Sequence, residues 1–372
     1  MKILQLAPIW ETVPPPAYGG IEAVVADLCN GLVRRGHEVT LCASGDSRTS
    51  AELLSIYPQS LRTAEDVSDP SPYVWMHAAL SLCEGRSFDI IHNHAGELVM
   101  AMSHLIDVPV LTTRHGPFPP DWKFVWDHYT SWYNTISRSE RLQMPPVPRA
   151  TYGGVVYNGI DVESFPYCED KDDYLLFLSR ISLEKGTHLA VEAARRLGLP
   201  LIIAGKVDRV DQEYFRTAVE PLIDDRRVTF VGEADSVTKR RLYARARCLL
   251  LPLLWEEPFG LVMTEAMACG TPVIAFPRGS APELIRDGET GYLVGGVDEM
   301  VAAVRRVDRI DPRRCRDHVA EHFSVPRMTD GYLALYERIL ETTKRRTTFA
   351  RPLAMAGGTE NANPGRQAPA VA

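Results

Sequence analysis

Short apolar runs alternate with longer amphipathic ones along most of the chain. Lys2–Ala7 (KILQLA), His37–Ala43 (HEVTLCA), Asp89–His94 (DIIHNH), Pro109–Thr113 (PVLTT), Tyr133–Ser137 (YNTIS) and Val155–Asn158 (VVYN) read as strands. Ile21–Arg35 (IEAVVADLCNGLVRR) carries the apolar spacing of a helix, interrupted only by Gly31. A polar break at Asp170–Asp173 (DKDD) follows, and the rhythm restarts. Tyr174–Leu178 (YLLFL), Leu201–Ala204 (LIIA), Val228–Val231 (VTFV), Cys248–Leu251 (CLLL) and Pro272–Phe276 (PVIAF) read as strands, with a helix over Gly186–Leu197. Strands separated by helix-length segments predict parallel βαβ units, and runs without strict alternation fit a sheet covered on both faces. The pattern therefore predicts two α/β halves, each doubly wound, joined near residues 160–173 and facing a central cleft. The first domain is placed over residues 1–165 and the second over 172–325. A helical segment over 326–347 packs back toward the first. Residues 348–372, rich in Ala, Gly and Pro with few large apolar side chains, read as a disordered tail.

Composition narrows the classes. The 372 residues suffice for two domains, and 45% hydrophobic with 24% charged residues is a globular mix. A net charge of -7 disfavours a surface built to grip nucleic acid. No apolar run reaches the ~18 residues of a membrane span. That leaves peripheral membrane contact open and says nothing of oligomeric state. MKILQLAPIW lacks a long apolar core and a small-residue cleavage site, so it reads as a first buried strand. The seven cysteines, at 29, 42, 83, 168, 248, 269 and 315, form no CxxC pair, which predicts reduced thiols and a cytoplasmic protein.

The densest chemistry lies in WEEPFGLVMTEAMACGTPVIAF, Trp255 to Phe276. The strand at Cys248–Leu251 ends before Glu257, and a helix begins at Gly260 or Leu261, placing Glu265 about one turn in. Backbone N–H groups at Phe259, Gly260 and Leu261 suit an anion, since a helix start carries unsatisfied donors. Gly260 lets the backbone approach a ligand closely. Carboxylates accept from a vicinal diol, so phosphates and sugar hydroxyls of one ligand fit together here, provided each buried carboxylate finds a donor. In LSRISLEKG, Arg180 and Lys185 follow a strand end and precede a helix, a fork and a point charge for a diphosphate. Gly19 and Gly20 stand between the first strand and first helix, with no GxGxxG. His115 in LTTRHG follows another strand end. His92 and His94 have strand spacing and face one side, but no third ligand for a metal is evident.

These strings resemble family-4 glycosyltransferases, retaining enzymes of the two-domain GT-B fold. Their hallmark is two glutamates separated by seven residues in a context like EPFGLVxxEAMACGxPVIA; here Glu257 and Glu265 occupy those places. The resemblance spans roughly residues 1–340 and is strongest over 174–295. It implies that Glu257 reaches the donor sugar and Glu265 the ribose hydroxyls. It places the backbone of Phe259, Gly260 and Leu261 at the diphosphate and sugar. Arg180 and Lys185 clamp the diphosphate, with Ser179 where glycine is common. Gly19 and Gly20 approach the donor phosphate, and His115 donates a hydrogen bond near the sugar. Asn158 and Gly159 (in YNGID) match an inter-domain turn, and Glu283 (in GSAPELIRDGETGYLV) a segment more structural than catalytic. The implied reaction moves a sugar from a nucleotide-diphosphate-sugar to an acceptor hydroxyl on a glycan, lipid or natural product. It requires no resident cofactor and no metal. The loop WETVPPPAYGGIEAVV further resembles a subgroup including an enzyme of avilamycin assembly, with Trp10, Glu11 and Tyr18 placed to meet the acceptor. Two other readings fit twin α/β lobes. One is a non-catalytic sugar- or nucleotide-binding protein; the other is a nucleotide-sugar epimerase or sugar phosphorylase of the same fold. The paired-glutamate string argues against the second, and intact Arg180, Lys185, Glu257 and Glu265 against a catalytically dead homologue.

Overall fold

A computed structural model describes the backbone of residues 1–349, apart from Tyr18 and Pro119, and side chains as far as residue 345. The tail expected over 348–372 falls almost wholly outside the described residues, as does Tyr18.

Two parallel sheets form, one per half. The first has seven strands: β1 (Lys2–Leu6), β2 (Glu38–Cys42), β3 (Glu52–Leu54), β4 (Ile90–Asn93), β5 (Val110–Thr113), β6 (Trp132–Thr135) and β7 (Thr151–Val155), in the order β3-β2-β1-β4-β5-β6-β7. The second has six: β8 (Leu175–Leu178), β9 (Leu201–Ala204), β10 (Val228–Phe230), β11 (Cys248–Leu251), β12 (Val273–Ala275) and β13 (Gly291–Leu293), in the order β10-β9-β8-β11-β12-β13. β1 pairs in parallel with β2 and β4, and β8 with β9 and β11, so each sheet reverses its winding beside its first strand. Ligands in open α/β sheets bind beyond the carboxyl ends of strands at such reversals. The loops after β1 and β4 in one lobe, and after β8 and β11 in the other, are thus the ones that build a site.

Strands buried on both faces explain the continuous apolar runs. Leu175, Leu176 and Phe177 of β8 and Leu249 and Leu250 of β11 are fully buried. Two short strands, β3 (ELL) and β13 (GYL), escape the apolar pattern because each brings only two apolar residues. β7 lies earlier than the expected Val155–Asn158, since Gly153 and Gly154 belong to the strand. A side chain at Gly153 would come within 2.9 Å of Leu335 on the last helix. The glycine therefore marks a close approach of helix to strand rather than a break.

That last helix, Val325–Phe349, leaves the second lobe and lies on the first. Its Met328, Tyr332, Leu335, Tyr336 and Ile339 join a core cluster with Val24, Leu28 and Leu32 of the Gly20–Arg34 helix. The chain crosses between lobes at two adjacent points. Ile160 N donates to Phe323 O at 2.9 Å and Val325 N to Ile160 O at 3.0 Å. Gly159 sits so near this crossing that a Cβ would meet Ser324 O at 2.5 Å.

Candidate active site

Between the lobes lies a cavity of about 890 Å³. Ten of the residues singled out by sequence line it: Gly19, Gly20 and His115 from the first lobe, and Arg180, Lys185, Glu257, Phe259, Gly260, Leu261 and Glu265 from the second. Asn158 and Gly159 line it at the crossing.

The site's floor is the turn after β11. Gly260 adopts φ 78° and ψ 68° and precedes the Leu261–Ala268 helix, which no side chain caps. The first N–H groups of that helix thus have no intrahelical acceptor. A Cβ at Gly260 would meet Met263 Cε at 2.6 Å and Glu257 Cγ at 3.1 Å. Gly279, at φ 60°, supports the turn from beneath, its Cβ direction blocked by Glu257 N at 2.1 Å. The Phe259 side chain points into the core against Tyr157 and Phe323, leaving its backbone for the cleft. Across the gap Gly20 opens the first helix, and a Cβ there would lie 3.6 Å from Leu261. Gly19 is held at φ 145° under Pro15.

Both glutamates are buried and both have donors, as the cost of burying a carboxylate demands. Glu257 pairs with Lys185 and accepts from Trp255 Nε1 at 3.0 Å, and the Lys185 ammonium also sits 4.5 Å above the Trp255 ring. Glu265 accepts from Lys239 Nζ at 2.7 Å and from the Tyr243 hydroxyl at 2.9 Å. Arg180 faces three carboxylates: Glu184 at 2.7 Å, and Asp208 and Asp211 at 3.8 Å each. Both cations counted on for phosphate binding, Arg180 and Lys185, are therefore matched to acids.

His115 is half-buried and forms a 2.8 Å hydrogen bond to His94 Nδ1 through its Nε2. Burial pushes its pKa down to about 3, so the ring is neutral. His92 and His94 do share a side, with ring centroids 3.9 Å apart. Their nitrogens bond Thr113, Tyr336, Gln5 and His115. Among the described residues no group of three or more His, Cys, Asp or Glu is arranged to hold a metal ion.

Outside this cluster lie the loop residues and Glu283, whose contacts are structural as expected. Glu11 pairs with Arg62 instead of lining the cleft, and Arg62 also donates to Glu233 of the second lobe at 3.1 Å. Trp10 is exposed and absent from the lining, while Pro14, Pro15 and Ala17 form the overhang. Glu283 accepts from Arg138 N at 2.9 Å, Ser139 N at 2.8 Å and the Tyr157 hydroxyl at 2.8 Å. It thus caps the Arg138–Gln143 helix of the opposite lobe.

Sequence reasoning missed Lys239 and Tyr243, which lie in SVTKRRLYAR without a recognisable signature, and Gln5 inside a strand. It also missed Asp27, a half-buried cleft residue on the first helix. Burial, with Asp161 nearby, raises its pKa to about 7.

Comparison with known proteins agrees with this geometry. A family profile described as "Glycosyltransferase Family 4" matches residues 18–164, and one described as "Glycosyl transferases group 1" matches 163–315. Glycogen synthase of Mycobacterium tuberculosis is 28% identical, covering 82% of this chain and 86% of that protein. A D-inositol 3-phosphate glycosyltransferase of Mycolicibacterium smegmatis is 26% identical over 91% of this chain and 90% of its own. Among solved structures, AviGT4, a glycosyltransferase involved in avilamycin A biosynthesis, superposes with a TM-score of 0.71. It is 22% identical, covering 92% of this chain and 98% of that one. Anabaena HepE, solved with UDP-glucose, gives a TM-score of 0.66 at 18% identity, covering 93% of this chain and 100% of that one. These likenesses show the GT-B fold. Among the described residues no helix is long and apolar enough to cross a membrane.

Proposed function

The chain belongs to the family-4 glycosyltransferases, and from that premise we propose that it transfers a sugar from a nucleotide-diphosphate-sugar to an acceptor hydroxyl with retention at the anomeric carbon. The observation that carries the reading is convergence. The uncapped helix start after β11, two cations after β8 and two donor-matched glutamates share one interlobe cavity with the glycine turn after β1.

In this reading the pyrophosphate lies against the Gly260–Leu261 N–H groups, with Arg180 and Lys185 on its oxygens. Glu257 accepts from hydroxyls of the transferred sugar and Glu265 from the ribose, held in place by Lys239 and Tyr243. The bond from the anomeric carbon to the phosphate oxygen breaks and the bond to the acceptor oxygen forms on the same face. The acceptor's proton passes to the leaving phosphate oxygen. Positive charge develops on the sugar and negative charge on the diphosphate. Preorganised donors aimed at that oxygen lower the barrier. No resident cofactor enters; the nucleotide sugar is a co-substrate. His115 is too weak a base, held near a pKa of 3, to take the acceptor's proton.

A natural-product acceptor, from the pathway AviGT4 is involved in, and an inositol phosphate, from the name of the D-inositol 3-phosphate relatives, are the acceptor classes to assay first. Incubation with UDP-, GDP- and ADP-sugars, scored by release of nucleoside diphosphate and by the anomeric configuration of the product, tests the function. An inverted product refutes retention, and nucleotide-sugar binding without turnover favours the binding-protein alternative.

A further inference from the structure

Behind His115 runs a buried chain of polar side chains linking β1, β4, β5, β6 and the last helix. Its far end is read from Asn134. Asn134 Nδ2 donates to the Thr135 carbonyl at 3.4 Å, and a carbonyl can only accept. Asn134 Oδ1 therefore faces Thr113, whose hydroxyl donates to it at 2.6 Å. With its proton committed, Thr113 Oγ1 accepts from His92 Nε2 at 2.6 Å and from the Tyr332 hydroxyl at 3.2 Å. His92 Nδ1 is then a lone pair, and the Tyr336 hydroxyl donates to it at 2.6 Å. Tyr336 in turn accepts from Gln5 Nε2 at 2.9 Å, which turns Gln5 Oε1 toward His94 Nε2, also at 2.9 Å. His94 donates there, leaving Nδ1 to accept from His115 Nε2 at 2.8 Å.

We propose that this one-directional chain from Asn134 through Thr113, His92, Tyr336, Gln5 and His94 fixes the single proton of His115 on Nε2, so that its Nδ1 meets the cleft as a hydrogen-bond acceptor for a hydroxyl of the transferred sugar. Gln5, His94 and Tyr336 are then positioning residues for a group they do not share with the substrate. Each imidazole carries one proton, since burial holds His92 and His94 well below the ordinary histidine range. Gln5, His92, Asn134 and Tyr336 are fully buried, so water does not compete for these bonds. His115 Nδ1 has no partner among the described residues. The polarity reverses the expectation that His115 donates to the sugar. The inference rests on the transferase reading for the identity of the hydroxyl, but not for the proton's position.

The proton is located first in the free protein, by nitrogen-15 NMR of histidine-labelled enzyme. The bridging proton is expected on His115 Nε2 with Nδ1 unprotonated. Finding it on His94 Nδ1 overturns the proposal, whether or not any sugar is turned over. A double-mutant cycle then tests the coupling. Gln5→Leu is expected to lower kcat/KM for the donor about tenfold in the native background and not at all in His115→Ala, with folding checked by melting temperature. An equal loss in both backgrounds overturns the positioning role. Finally, donors with each sugar hydroxyl replaced in turn by hydrogen are compared. One analogue is expected to lose about tenfold with native enzyme and nothing with His115→Ala. A parallel loss in both enzymes places the hydroxyl elsewhere and overturns the contact. Absence of all turnover, with the proton on Nε2, sinks the transferase reading alone.

Discussion

Replacing Lys185 by Met separates its ion pair with Glu257 from the role the proposed reaction gives it. Lys185 and Glu257 are 12% and 10% exposed, so their pairing is largely shielded from water. Removing one member of a buried pair costs about 3–5 kcal/mol because the other charge is stranded. Glu257 keeps Trp255 Nε1 at 3.0 Å, which puts the expected cost at the low end, about 3 kcal/mol. For a domain of this size that is a fall in melting temperature of about 6–12 °C. The same substitution removes a charge from the developing diphosphate oxygen, worth about 10²–10³ in kcat. Lys185→Met/Glu257→Met removes both charges from the site. It is expected to regain most of the lost melting temperature while activity stays at or below that of the single variant. Calorimetry and nucleoside-diphosphate release on the three proteins check this. The reasoning fails if Lys185→Met melts within about 2 °C of the native protein. It also fails if the double variant recovers turnover, for then the pair is neither a buried neutralisation nor a leaving-group device.

Gly260→Ala is expected to destabilise by about 1–2 kcal/mol through its left-handed backbone alone, and to weaken nucleotide-sugar binding by more than tenfold in calorimetric titration, because the Cβ displaces Met263 and Glu257. Glu283→Ala strips three donors of their acceptor; it should cost about 2–3 kcal/mol and broaden the interlobe distance distribution measured by spin labels, with Glu283→Gln intermediate. Asp27, raised from 3.8 to about 7, keeps in the folded state a proton that the unfolded chain releases, so stability falls as pH rises between those values. The ceiling is about 4 kcal/mol, reduced by water in the cleft. Urea unfolding at pH 5 and pH 8 should show a shallower decline for Asp27→Asn. Parallel curves would remove Asp27 from the account, leaving Glu22 and Glu140, whose raised pKa values act in the same sense.

What the sequence disclosed depended on how local the physics was. Gly260, Glu257 and Glu265 lie in one strand–turn–helix unit, so their relation follows from helix geometry and a positive φ, both written in neighbouring residues. Arg180 and Lys185 were legible for the same reason. The groups that hold these residues were not. Lys239 and Tyr243 come from the preceding helix, Gln5 from the first strand and Tyr336 from the last helix, 331 positions from Gln5. Nothing local distinguishes a tyrosine that packs from one that also joins a hydrogen-bond chain. The pairing of Glu11 was hidden for the same reason, since Arg62 is far away in sequence. β7 was misplaced because a glycine pair reads as a break until the helix covering it is known.

The ion pairs of the cleft also bear on why the proposed donor is an activated sugar. Lys185 is bound to Glu257 and Arg180 is ringed by Glu184, Asp208 and Asp211, so a ligand must exchange partners rather than fill vacancies. A sugar hydroxyl is a weaker donor to Glu257 than an ammonium, because charge-assisted hydrogen bonds are about twice as strong as neutral ones. A free sugar therefore cannot displace Lys185. A diphosphate can take Lys185 and Arg180, but it strands Glu257 in a buried position unless donors replace the ammonium. A molecule carrying both parts offers the diphosphate to the cations and gives Glu257 hydroxyl donors in place of the ammonium. In the proposed reaction, the ion pair of the resting cleft thus selects for the intact donor over either of its hydrolysis products.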